Sequence, residues 1–204
     1  MKRIFFLMLL CVTLLLTGCT QQAKPGMYIE PAKLTAEEEQ IKAMASQGRF
    51  VHFFDFQLDQ TVQTISVQVY RLEDAQWVPY SVGGKMAMPE NRGKGRLALD
   101  FYQLYEGVGI SVQGSDDNRY SFTTSRPDSA SFDPSGMALY TTALSMQQEL
   151  AYNVELPIAL QIHTAKNAVM SMATDFFHQP ERIAAEGHDH VYAVTVTFSN
   201  EPME

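Results

Sequence analysis

From Phe50 onward, apolar and polar residues alternate with a period of two. His52, Phe54, Phe56 and Leu58 share one phase, against Val51, Phe53, Asp55 and Gln57. The same alternation returns in Ile65-Val67-Val69, Leu97-Leu99-Phe101, Val108-Ile110-Val112, Leu156-Ile158-Leu160-Ile162 and Tyr192-Val194-Val196-Phe198. Shorter candidates lie at 76–81, 119–124 and 137–144. A period of two gives each strand one buried and one wetter face, the pattern of antiparallel sheets. Asp59-Gln60-Thr61, Glu73-Asp74-Ala75 and Gly114-Ser115-Asp116-Asp117-Asn118 supply turns between them. About nine strands at hairpin spacing predict a mainly β domain over 49–204, an antiparallel β-sandwich with a closed β-barrel as the second choice. Pro157 cannot donate to a ladder, so its strand is expected to be an edge or to be bulged there.

Before residue 50 the pattern differs. Thr35 is placed as an N-cap, Glu38 three residues on completes a capping box, and Gly48 suits the position after the last turn. These signals predict a short helix over 35–48 with a thin apolar face of Ile41, Met44 and Ala45. Residues 20–34 are polar and hold Pro25, Gly26 and Pro31, so 19–34 reads as a tether. Later, 125–136 (SRPDSASFDPSG) reads as a long loop, and a helix is expected around Ala168 to Phe177, ending before Pro180.

Lys2 and Arg3 open the chain, followed by thirteen largely apolar residues from Ile4 to Leu16. This run suits a secretory leader and falls short of the ~20 residues a spanning helix needs. It closes on Leu16-Thr17-Gly18-Cys19. These residues resemble the lipobox of bacterial lipoproteins. The resemblance covers the leader only. It implies export, removal of a signal peptide over 1–18, attachment of diacylglycerol to Cys19, and a lipid anchor on the extracytoplasmic face of the cell membrane. Two acyl chains hold stably where one binds marginally.

The chain carries 15 Lys and Arg against 23 Asp and Glu, a net charge of -8. Loss of the leader removes Lys2, Arg3 and Cys11, which takes the charge to -10 and leaves an acylated Cys19 as the one cysteine. An internal disulfide is thereby excluded, and stability must come from core burial. The acidic balance argues against nucleic acid as a partner.

Few motifs carry chemistry. There is no nucleophile elbow, no zincin helix motif, no P-loop and no dinucleotide fingerprint, and no catalytic residue is assigned. In Gly187-His188-Asp189-His190, the two histidines stand at i and i+2 and would share one strand face. They could hold Zn2+ or Cu2+ if His163, His178, Glu181 or Glu186 supplied a third ligand. Asp116 with Asp117, and Asp128 with Asp133, are weaker acidic pairs for Ca2+. Phe53, Trp77 and Tyr80 could form a stacking platform for glycan, although Trp77 is expected in a core. The function expected is therefore that of a membrane-anchored envelope lipoprotein with a non-catalytic domain, requiring no cofactor, that binds an envelope protein, peptide or glycan. The alternatives are a metal-binding envelope protein using His188 and His190, and a structural component of an envelope complex.

Overall fold

A computed structural model describes residues 26–46, 49–81, 83–88, 93–114, 119–124, 133–166 and 172–203. Among them twelve strands and two short helices alternate in the order β1 (Tyr28–Pro31), α1 (Ala36–Ser46), β2 (Phe50–Gln57), β3 (Thr64–Glu73), β4 (Gln76–Pro79), β5 (Gly84–Ala87), β6 (Lys94–Phe101), β7 (Gly109–Gly114), β8 (Arg119–Thr123), β9 (Ala138–Ala143), β10 (Gln148–Glu149), β11 (Leu156–Thr164), a 3-10 turn (Thr174–His178), α2 (Pro180–Ala185) and β12 (His190–Ser199).

The strands form two antiparallel sheets, not a closed barrel. The front sheet runs β10-β1-β2-β6-β7-β8 and the back sheet β4-β3-β12-β11-β9, with β5 also paired to β3. The two faces that meet carry the alternating apolar phase. Phe54, Phe56, Leu97, Leu99, Ile110 and Val112 come from the front, and Ile65, Val67, Val69, Val194, Val196 and Phe198 from the back, all buried. At one flank the sheets approach through β5 and β8. Gly84 leaves no room for a side chain there, since a Cβ would overlap the Phe122 ring.

Three strands escape the periodicity. β1, β5 and β10 have four, four and two residues, too few to show a period. β1 lies inside the span read as a tether. Met27, Tyr28 and Ile29 are buried and β1 pairs with β2, so the tether reading of 19–34 is corrected from Met27 onward.

The helix α1 forms as its cap predicts. The Thr35 backbone N–H donates to Glu38 Oε2 at 2.7 Å, and the Glu38 N–H donates to Thr35 Oγ1 at 3.2 Å. No side chain of α1 is buried. It is held by the Arg96 guanidinium, which bonds Glu38 Oε1 at 2.9 Å and Asp55 Oδ1 at 2.6 Å. Ile41 and Met44 remain exposed. Gly48, its expected C-terminal residue, lies outside the described residues.

A second layer covers the outer face of the back sheet. Leu160, Ile162, Val191 and Ala193 meet Met172, Phe177 and Ile183 from the segment 172–187. This makes β11 and β12 buried on both faces, so their simple one-sided alternation is corrected. The ladder slips between Pro157 and Ala159. Pro157 is therefore at a bulge, in an interior strand and not an edge. The helical signal near 168–177 is also corrected. Of its described part, Thr174–His178 is a 3-10 turn, and α2 begins at Pro180 instead of stopping before it. Proline's fixed φ and missing N–H suit the first turn of a helix.

Candidate functional site

The bulge at Pro157 has a consequence for chemistry. Beyond it, Leu160 and Ile162 face the outer layer, and Gln161 and His163 face the sandwich interior. Gln161 sits opposite Tyr192 and His163 opposite His190 on β12, while Tyr192 sits opposite Arg71 on β3. The core therefore turns polar at this one end. Gln161, His163 and Tyr192 are almost fully buried there.

The loop 102–108 of the front sheet closes over this cluster. The Leu104 backbone N–H donates to Gln161 Oε1 at 2.7 Å, and His163 Nε2 lies 3.1 Å from the same oxygen. An amide oxygen only accepts, so this contact places the imidazole proton on Nε2. Gln161 Nε2 in turn donates to Thr141 Oγ1 at 3.1 Å. The Tyr105 ring meets His163 edge-on with centroids 5.6 Å apart, and Tyr192 meets Tyr80 at 5.1 Å. The Arg71 guanidinium stands 5.5 Å over the Tyr80 ring and is ion-paired with Glu73. The hydroxyls of Tyr80 and Tyr192 are close enough to interact with each other and Arg71 electrostatically, yet neither makes a hydrogen bond of ordinary geometry.

Burial sets the charges. It pushes the His163 imidazolium down to about 4, with His190 adding to the effect. Burial, then Arg71, also lowers His190, against a smaller opposing pull from Asp189. Burial and the Tyr80 hydroxyl raise Tyr192, keeping its proton. At neutral pH the cluster offers neutral imidazoles, a protonated phenol and one guanidinium. Within the cluster these donors are already engaged, the His163 Nε2–H by Gln161 Oε1 and the Arg71 guanidinium by Glu73.

The histidine pair is divided. His190 points with Tyr192 toward the cluster. His188 precedes β12 in the turn after Gly187 (φ 61°), and both its ring nitrogens are buried without a hydrogen bond. Asp189 between them accepts the Ala165 N–H at 2.8 Å and closes the β11–β12 connection. Of the third ligands considered, His163 pairs with His190, whereas His178, Glu181 and Glu186 are exposed on the outer layer. Among the described residues, no three His, Cys, Asp or Glu side chains gather in a way that could hold a metal ion. Asp133 accepts hydrogen bonds from the Ser135 N–H and hydroxyl, as in an Asx turn. Asp116, Asp117, Asp128 and Cys19 lie outside the described residues.

The aromatic platform is dispersed. Phe53 lies on the outer face of the front sheet, Tyr80 in the main core, and Trp77 against Phe177 in the outer layer, with rings 4.9 Å apart. The Trp77 indole N–H donates to the Phe177 carbonyl at 2.7 Å. Gln161 and Tyr105 were missed by sequence reasoning. The visible signal was a glutamine and a histidine at i and i+2 in an otherwise apolar run.

Among the described residues, no helix is long and apolar enough to cross a membrane. Comparison with known protein families, curated proteins and solved structures gives no match.

Proposed function

We propose that this protein is a lipid-tethered component of the cell envelope whose β-sandwich is a non-catalytic binding module, presenting its polar, loop-bearing end away from the bilayer. The observation that carries this reading is the pairing of β1 with β2. Tyr28 lies opposite Gln57, the last residue of β2, whereas the polar cluster sits beyond Phe50 and Phe101, at the opposite end. Seven residue steps separate Cys19 from Gly26, a reach of at most ~25 Å. A lipid on Cys19 then holds the Gln57 end near the membrane. The loops 102–108, 133–137 and 172–189 are carried at the far end, where binding loops on a rigid scaffold belong.

The test uses the full chain in a bacterial host. Cys19→Ala should move the protein from the membrane fraction to the soluble fraction. A dye on Asn200→Cys, at the Gln57 end, should be quenched by spin-labelled lipid headgroups at least threefold more than one on Tyr102→Cys. A Cys19→Ala protein still in the membrane fraction, or equal quenching at the two positions, would overturn the reading.

A further inference from the structure

The outer layer covers only part of the back sheet. It reaches Tyr70, whose ring meets Phe177 with centroids 5.8 Å apart. Beyond that edge a cavity of about 290 Å³ opens on the outer face. A cross-strand row lines it, with Lys85 on β5 opposite Ser66 on β3, and Ser66 opposite Thr197 on β12. Glu155, just before β11, lines it beside Tyr70. The Tyr70 hydroxyl donates to Glu155 Oε1 at 2.5 Å, and the Thr195 hydroxyl lies 3.5 Å from the same oxygen. Burial, then Glu155 itself, raises Tyr70, so the phenol keeps its proton and holds the carboxylate in place. Both contacts fall on Oε1, and among the described residues Oε2 accepts none. Lys85 is exposed and, among the described residues, makes no ion pair, even with Glu155 in the same cavity. The Ser66 and Thr197 hydroxyls likewise make no hydrogen bond among the described residues.

We propose that this cavity binds a short zwitterionic peptide, with its amino terminus on Glu155 and its carboxylate on Lys85. Opposite charges that share one cavity without pairing can each take the opposite charge of a ligand, and charge-assisted hydrogen bonds are the strong ones. The hydroxyls of Ser66 and Thr197 suit a peptide group, because a hydroxyl both donates and accepts. The volume stands at the small end of ligand sites, ~300–1,000 Å³, and limits the occupant to about two residues. A phosphate headgroup fits less well, since Lys85 is the one cation among the lining residues. A sugar ring finds no free aromatic face, since Tyr70 is the one aromatic of the lining and is packed against Phe177. The inference rests on the proposed function only in treating the sandwich as a binding module. Its failure would leave the lipid tether and the fractionation test untouched.

The full chain, purified in detergent from producing cells, is titrated with dialanine by calorimetry. N-acetyl-dialanine and dialanine amide, each lacking one terminal charge, are titrated beside it, as are O-phosphoethanolamine and glucose. Dialanine should bind about tenfold more tightly than either capped form, the loss expected for one charged hydrogen bond. Lys85→Gln, at an exposed position, should weaken dialanine by about tenfold with the circular dichroism spectrum unchanged, and Glu155→Gln should do the same. Four results would overturn the proposal: dialanine binding weaker than ~10 mM, a capped form binding equally well, phosphoethanolamine or glucose binding more tightly, or unchanged affinity in folded Lys85→Gln protein.

Discussion

His163 shows how a single buried side chain ties stability to pH. Its imidazolium is pushed down to about 4, against an ordinary value near 6.5. The unfolded chain therefore binds a proton at this residue that the folded chain refuses. Stability is fully present above the unfolded value and is lost as pH falls from about 6.5 to about 4, by about 3 kcal/mol. Urea unfolding at pH 7.5 and pH 4.5 should show the midpoint falling for the native sequence, and falling less for His163→Gln. Equal falls would remove His163 as the cause. A second residue-scale test concerns the β3–β4 turn, where Asp74 and Ala75 both have positive φ, at 45° and 59°. Two-residue hairpins of this kind favour glycine at the second position. Ala75→Gly should raise stability by about 0.5–1 kcal/mol, offset in part by the entropy of glycine, and thermal unfolding measures it.

At the scale of elements, the outer layer rests on Trp77. Its ring stacks on Phe177 and its N–H ties the Phe177 carbonyl. Trp77→Ala should loosen Thr174–His178 and α2 before the sandwich itself unfolds. Cleavage by trypsin at Arg182 should accelerate about tenfold or more, while the strands stay protected; an unchanged rate would mean that Leu160, Ile162 and Ala193 hold the layer without it. This layer also marks where sequence and structure part. β2, β3, β6 and β7 were legible because one face is wet and the alternation is clean. In β11 and β12 both faces are covered, so alternation no longer reports which face looks inward. The bulge at Pro157 then turns Gln161 and His163 into the core. Pro157 announced an irregularity, but no local signal announces what lies across the sandwich. The capping box of α1 was readable because Thr35 and Glu38 interact over three residues. β1 and β10 were not, because such short strands exist only through their partners.

For the whole molecule, the proposed function assigns two tasks to opposite ends of the sandwich. The Tyr28 and Gln57 end receives the chain, and the other end gathers Arg71, Tyr80, Tyr105, His163 and Tyr192. Between them lies an apolar core, which must supply stability by burial because the processed chain would have no cysteine pair. The reading of function rests on the first end being fixed to lipid through Cys19. Intact mass and peptide mass spectrometry of the protein purified from bacterial membranes test that most directly. The account predicts a chain beginning at Cys19 and bearing a thioether-linked diacylglyceryl group. An uncut leader, or a mature chain with a free Cys19 thiol, would contradict it.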